Sequence, residues 1–238
     1  METILTDRIF SFFDKDLKIQ RTNLLLKATS CLNGGHCVFC DYYKDTDLDY
    51  IYCKEFNSQI IDKLPNNNGI LGLAPSASIF EVPFESLIYL KNHLILNDFV
   101  YSEIQTETHW EYRNLIYNFK NMFNTPVKVK IGIETFNDNI RSRMGKNFKI
   151  ENYKHVLRYS DSVNMIVGLY CQTKESVIDD ITICGENFKY TDYNLIESGN
   201  EKILNKELID WFKDEGQYIA RGYGNIKVWL NCNEYLGD

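Results

Sequence analysis

Six strand-like runs, each followed by a helical stretch, account for most of this chain. The runs fall at 22–29, 69–73, 99–105, 127–133, 162–169 and 188–195, and Gly69-Ile70-Leu71-Gly72-Leu73 has the short apolar character of a buried parallel strand. Between them, apolar residues at 48, 51, 52, 56, 60, 61 and 64 keep helical spacing. Further helices are expected at 83–96, with Pro83 in its first turn, and at 110–123, 151–159, 174–183 and 205–214. Asn137 or Asp138 can cap a short helix that Gly145 ends, and 226–231 reads as a terminal strand. Such alternation predicts an α/β protein with a parallel sheet and helices outside it. Six units are too few for a closed eight-stranded barrel, which leaves a partial barrel or a doubly wound sheet. In either, chemistry belongs at the C-terminal ends of the strands.

At 238 residues, without a linker-like or low-complexity segment, the chain is expected to be one domain. Its parts are an N-terminal segment (1–21) packed across the domain, a core (22–200), and a C-terminal helix and strand (201–238). The net charge of −7, with no block of Lys or Arg, argues against a nucleic-acid polymer as partner. Residues 1–15 lack the pattern of a signal peptide, and no run approaches the ~18 apolar residues of a membrane span. A cytoplasmic protein is expected.

The first strand leads into Cys31-Leu32-Asn33-Gly34-Gly35-His36-Cys37-Val38-Phe39-Cys40. Of seven cysteines, only Cys31, Cys37 and Cys40 cluster, which does not suit a disulfide framework in a chain of this size. Cys53, Cys171, Cys184 and Cys232 read as small buried hydrophobes. Three thiolates can hold three irons of a [4Fe–4S] cluster, whereas a structural zinc site asks for four ligands. Zinc with His36 or Cys53 as the fourth ligand, and a fully protein-ligated cluster completed by Cys53, stay open on spacing alone.

The C-x5-C-x2-C loop, with Phe39 ahead of its last cysteine, resembles the cluster loop of the radical S-adenosylmethionine (SAM) superfamily, although the commoner spacing is C-x3-C-x2-C. Lys130-Ile131-Gly132-Ile133-Glu134-Thr135-Phe136-Asn137-Asp138, with Arg141 and Gly145-Lys146-Asn147 after it, looks like that family's fourth-strand motif. Asn164-Met165-Ile166-Val167-Gly168-Leu169, then Gln172-Thr173-Lys174, looks like its fifth. The resemblance covers about residues 22 to 190 and implies a partial (β/α)6 barrel, a [4Fe–4S] cluster on Cys31, Cys37 and Cys40, and SAM at the remaining iron. It implies further that the backbone near Phe39 touches adenine. Ser76 and Ser78 stand where many members carry Gly-Gly-Glu for the methionine end of SAM. Glu134 approaches the ribose or substrate, Arg141 or Arg143 the carboxylate, and Gly168 and Leu169 the adenine.

The substrate is expected at the other strand ends, among Glu103, Gln105, Glu107, Asp192 and Asn231, where acids suit a neutral or cationic small molecule. Apolar, aromatic surroundings are expected to protect the radical. Within the family the whole chain looks like the lyases that free queuine from queuosine or its 5′-phosphate. An electron donor such as flavodoxin or ferredoxin is implied. Two other classes remain beside this one: a zinc-binding, non-catalytic domain and an electron carrier.

Overall fold

The computed structural model describes residues 8–15, 17–34, 36–197 and 201–230, with the side chain of Glu201 left aside. They form one eight-stranded sheet in the order β1-β2-β3-β4-β5-β6-β7-β8. The strands are β1 (Ile9–Asp14), β2 (Ile19–Leu26), β3 (Ile70–Pro75), β4 (Glu103–Thr108), β5 (Val127–Glu134), β6 (Ser162–Val167), β7 (Tyr190–Leu195) and β8 (Ile226–Trp229). Only β1 runs antiparallel, pairing with β2 across a short hairpin. Strands β2 to β8 are all parallel. A doubly wound sheet reverses its strand order at a switch point. Here the order never reverses, so each right-handed crossover adds its strand to the same edge and the helices gather on one face. The result is a sheet curled into an open half-barrel.

Of the N-terminal segment, Ile9–Asp14 supplies the antiparallel edge strand. One expectation changes. The helix predicted at 110–123 is a 3-10 turn, Trp110–Leu115, followed by a short α-helix, Ile116–Lys120. The apolar spacing there came from Trp110, Ile116 and Phe119, which are buried whichever helical form carries them.

Alternation decides which side of each strand faces what. Leu24, Leu26, Leu71, Leu73, Ile104, Val129, Ile131, Val163, Met165 and Tyr193 point outward into one apolar core. Leu87 and Leu90 of the helix Phe84–Leu96, and Val177 and Ile181 of the helix Lys174–Asn187, close that core from the other side. The concave face carries the alternate residues, and many are polar: Asn23, Gln105, Lys130, Asn164 and Asp192. Curling brings the first and last strands within reach of each other, since Lys227 of β8 donates to Asp14 of β1 at 2.6 Å. Among the described residues no helix is long and apolar enough to cross a membrane.

Burial alone would raise the Asp14 carboxyl, but hydrogen bonds from Lys227 and the Leu17 N–H bring it below its ordinary value of 3.8. A carboxylate held low in the folded state contributes stability above its unfolded pKa and loses it as pH falls through the folded one. Asp14→Asn should therefore lower the urea midpoint at pH 7, and the gap to wild type should close below pH 3.8. A gap that persists unchanged at pH 2 would refute this account.

Candidate active site

The cysteine loop leaves β2 at the C-terminal end of the parallel sheet. Turns at Gly34 N–H to Cys31 O (2.8 Å) and His36 N–H to Asn33 O (2.8 Å) fold it back on itself. Glu81 holds one side. This buried acid caps the 3-10 turn Ile79–Glu81 after β3, and its carboxylate accepts from the Leu32 N–H (2.6 Å), the Ser78 N–H (2.8 Å) and the Tyr112 hydroxyl (3.2 Å). Burial raises the Glu81 carboxyl against these hydrogen bonds. Glu81 lies three residues beyond the Ser76–Ser78 slot, and its signal in the sequence is the Ser-x-x-Glu capping box.

Met144 and Gly145 hold the other side. The Val38 N–H donates to Met144 O at 3.1 Å. Gly145, at φ +92°, lies so close that a Cβ there would overlap the His36 carbonyl oxygen. Phe39 seats the loop on a small apolar cluster of Ile140, Met144, Ile166, Leu169 and Cys171.

Next to this loop β5 ends in an irregularity. The β5–β6 register shifts between Gly132 and Glu134, and Glu134 takes φ 66°. The shift turns the Glu134 side chain onto Lys146, and both side chains are 6 % exposed in their ion pair. Gly132 leaves room beside them, since a Cβ would come within 2.9 Å of Glu134 Oε1 and 3.1 Å of Lys146 Nζ. The Gly-x-Glu and Gly-Lys wording is thereby one physical unit: a bulge, a buried ion pair, and a glycine against the cysteine loop.

The three thiols are half-buried and close enough to influence one another electrostatically. Burial pushes Cys37 up to about 12 and raises Cys31 and Cys40 as well. Metals bind thiolates, so such a loop stays protonated until a cationic group takes it. The set suits a metal group needing three protein thiolates. Cys53 is no fourth ligand in this arrangement: it is fully buried, with its Sγ toward Asp47 O (3.2 Å) and Ala28 O (3.6 Å). His36 is exposed, its carbonyl against Gly145. A second donor set touches the loop, in which ligand atoms of Cys31, Glu81 and His109 lie within 4.8 Å of one another. Burial, with Lys146 adding to it, lowers His109 to about 3, so its ring is neutral.

Other expected site residues fall in varied places. The Ser76 hydroxyl accepts from the Ala28 N–H at 2.9 Å and faces Leu26 O, tying β3 to β2. The Ser78 hydroxyl meets Thr108 Oγ1 at 2.8 Å and caps the turn to Glu81. Both serines therefore build the strand end with their hydroxyls. Arg141 is fully buried, donating to Thr135 O (2.5 Å) and Phe148 O (3.3 Å), pairing with Asp138 and stacking on Phe148, so it is structural. Arg143 is exposed and lies over the Tyr170 ring at 5.2 Å. Gly168 takes φ +113°, and a Cβ there would overlap Ile196 O, which makes this strand-end turn obligatory glycine. Leu169 is buried beside Phe39, its N–H held by Gln172 Oε1 at 3.0 Å.

The concave face corrects one expectation and carries ion pairs and hydrogen bonds: Lys130 pairs with Asp192, Lys128 with Glu103 (2.7 Å), and Asn164 donates to Glu107. Glu103 opens β4 instead of closing it, so it sits at the end opposite the cysteine loop, bonded to Gln105 and Lys128. Gln105 follows one step up, Glu107 nears the C-terminal end, and Asp192 lies mid-strand. The β-alternation placed these residues on one face but could not assign the strand's ends. Asn231 lies outside the described residues.

No protein-family model and no curated protein matches the sequence. Solved structures do. The chain superposes on "queuine lyase from Clostridium spiroforme bound to SAM and queuine" with a TM-score of 0.85 and 29% identity, over 97% of this chain and 99% of that one. It also matches coproporphyrinogen III oxidase (HemN) from Escherichia coli, described as a radical SAM enzyme, with a TM-score of 0.59 and 15% identity. That match spans 94% of this chain and 56% of the other, and shows a shared fold.

The Glu134–Lys146 pair yields a direct test. Removing one partner of a buried pair strands the other charge, at a cost of about 3–5 kcal/mol. Lys146→Met should destabilise the chain by that amount in urea unfolding, and adding Glu134→Gln should recover more than half of it. A double variant no more stable than Lys146→Met would show that the pair is not the cause.

Proposed function

We propose that the chain, a radical SAM enzyme, is a lyase that frees queuine from queuosine or its 5′-phosphate. The observation supporting the substrate is the likeness to the queuine lyase structure, which covers 97% of this chain and 99% of that one. The polar concave face agrees with a small, hydrogen-bonding substrate.

In this reading Cys31, Cys37 and Cys40 would hold a [4Fe–4S] cluster, with SAM bound beside it. When bound, this pair of groups supplies a 5′-deoxyadenosyl radical that takes a hydrogen atom from the substrate. The chain's own residues position and shield. Glu81, Met144 and Gly145 fix the loop from two sides, and Phe39 docks it by apolar burial. The backbone at Phe39 and at Gly168–Leu169 forms the adenine side. Glu134, oriented by Lys146, faces the ribose or substrate. Thiols pushed up by burial favour cluster assembly at neutral to alkaline pH, since each ligand must lose a proton. A flavodoxin or ferredoxin would deliver the electron.

Anaerobic reconstitution tests the reading. Wild type should convert SAM to 5′-deoxyadenosine and methionine and release queuine from queuosine by mass spectrometry. Alanine at Cys31, Cys37 or Cys40 should abolish the cluster absorbance and the product, whereas Cys53→Ser should keep both. One equivalent of zinc without iron or sulfide, or a fully loaded cluster that makes no 5′-deoxyadenosine, would refute it.

A further inference from the structure

The concave wall above Lys130 holds a polar group that the protein leaves incomplete. Asn164 is 6 % exposed, and its Nδ2 donates to Glu107 Oε2, which fixes the amide's orientation. Its Oδ1 is buried and finds no hydrogen-bond partner among the described residues. A buried carbonyl left in that state costs free energy that an incoming donor would remove. Register places Asn164 on the concave side, level with Gly132 and Asp192, so this oxygen belongs to the chamber wall rather than the apolar core. Beside it, burial raises the Glu107 carboxyl, and Lys130 and Lys146 act in the opposite direction.

Those two lysines decide the kind of ligand. Glu107 already has cationic neighbours, and Asp192 and Glu134 have each a lysine of their own. A further ammonium is therefore poorly matched. What the wall leaves open to a ligand is an acceptor, Asn164 Oδ1, with the Glu107 carboxylate beside it.

We propose that Glu107 and Asn164 are the specificity-determining pair for the substrate's ring, together accepting two adjacent N–H groups such as those of a 2-amino-4-oxopyrimidine edge. The inference rests on the reading of the concave face as the substrate chamber. Such an edge matches acceptors in the way acidic and amide side chains meet base edges, and an analogue lacking the donors leaves buried acceptors unpaired.

The test is equilibrium binding of 7-deazaguanine and 7-deazaadenine to the SAM-loaded holoenzyme, with cluster content and SAM affinity as controls for folding. Wild type should bind 7-deazaguanine at least about 10-fold more tightly than 7-deazaadenine. Glu107→Gln, which keeps shape, should weaken 7-deazaguanine by roughly 10- to 100-fold and leave 7-deazaadenine unchanged. Asn164→Ala should erode the same preference. Equal affinity of wild type for the two bases, or a preference that survives Glu107→Gln, would overturn the proposal. The two readings fail separately. A Glu107-dependent preference without queuine formation removes the reaction assignment alone. Queuine formation with unchanged KM in Glu107→Gln removes the recognition pair alone.

Discussion

The buried ion pair of Glu134 and Lys146 is the joint on which the two halves of this site turn. Forming it demands a residue at φ 66°, a shifted register, and a glycine at 132 that leaves room for both side chains. In return it sets Lys146 beneath the Phe39 ring, 5.9 Å from its centroid, and Gly145 against the back of the cysteine loop. A charge in low dielectric needs its partner in good geometry. Few arrangements of β5 and the loop satisfy that, so the pair couples the position of the thiols to the end of the sheet.

The same constraint explains the concave face. A singly wound sheet with helices on one side buries most of its apolar residues outward. Its other face closes over a chamber, narrowed by curling until β1 and β8 are bridged by Asp14 and Lys227. Chamber residues are then largely withdrawn from water without a hydrophobic partner surface. They are stable as ion pairs and hydrogen bonds, and Lys130–Asp192 and Lys128–Glu103 take that form. One consequence is electrostatic: an acid read from sequence as a cation site is, in the fold, already balanced by a lysine. That shifts the recognition expected of the chamber from charge toward hydrogen-bond pattern.

Much of this was legible in the residues. Strand–helix alternation carried the fold class, because a period of two followed by a period of 3.6 has few other solutions. The cysteine spacing pointed to a three-thiol loop, since Cys31, Cys37 and Cys40 fall within ten residues. Gly132, Glu134, Gly145, Lys146 and Gly168 were visible as wording whose reason was hidden: each glycine marks a close approach to atoms distant in the chain.

What the chain alone determined is local: element types, the loop's chemistry, and which residues share a strand face. The tertiary structure decided everything that depends on a partner far along the sequence. It joined the two edges of the sheet, Asp14 of β1 accepting from Lys227, 213 positions away. It chose Glu81 to hold the cysteine loop across 49 positions, and turned Arg141 from a ligand group into a buried brace. It placed Glu103 at the far end from the thiols, because the pairing of β4 with β3, and not the local alternation, sets where that strand begins. Local periodicity is written in neighbouring residues; the pairing of charges is decided only once the sheet curls.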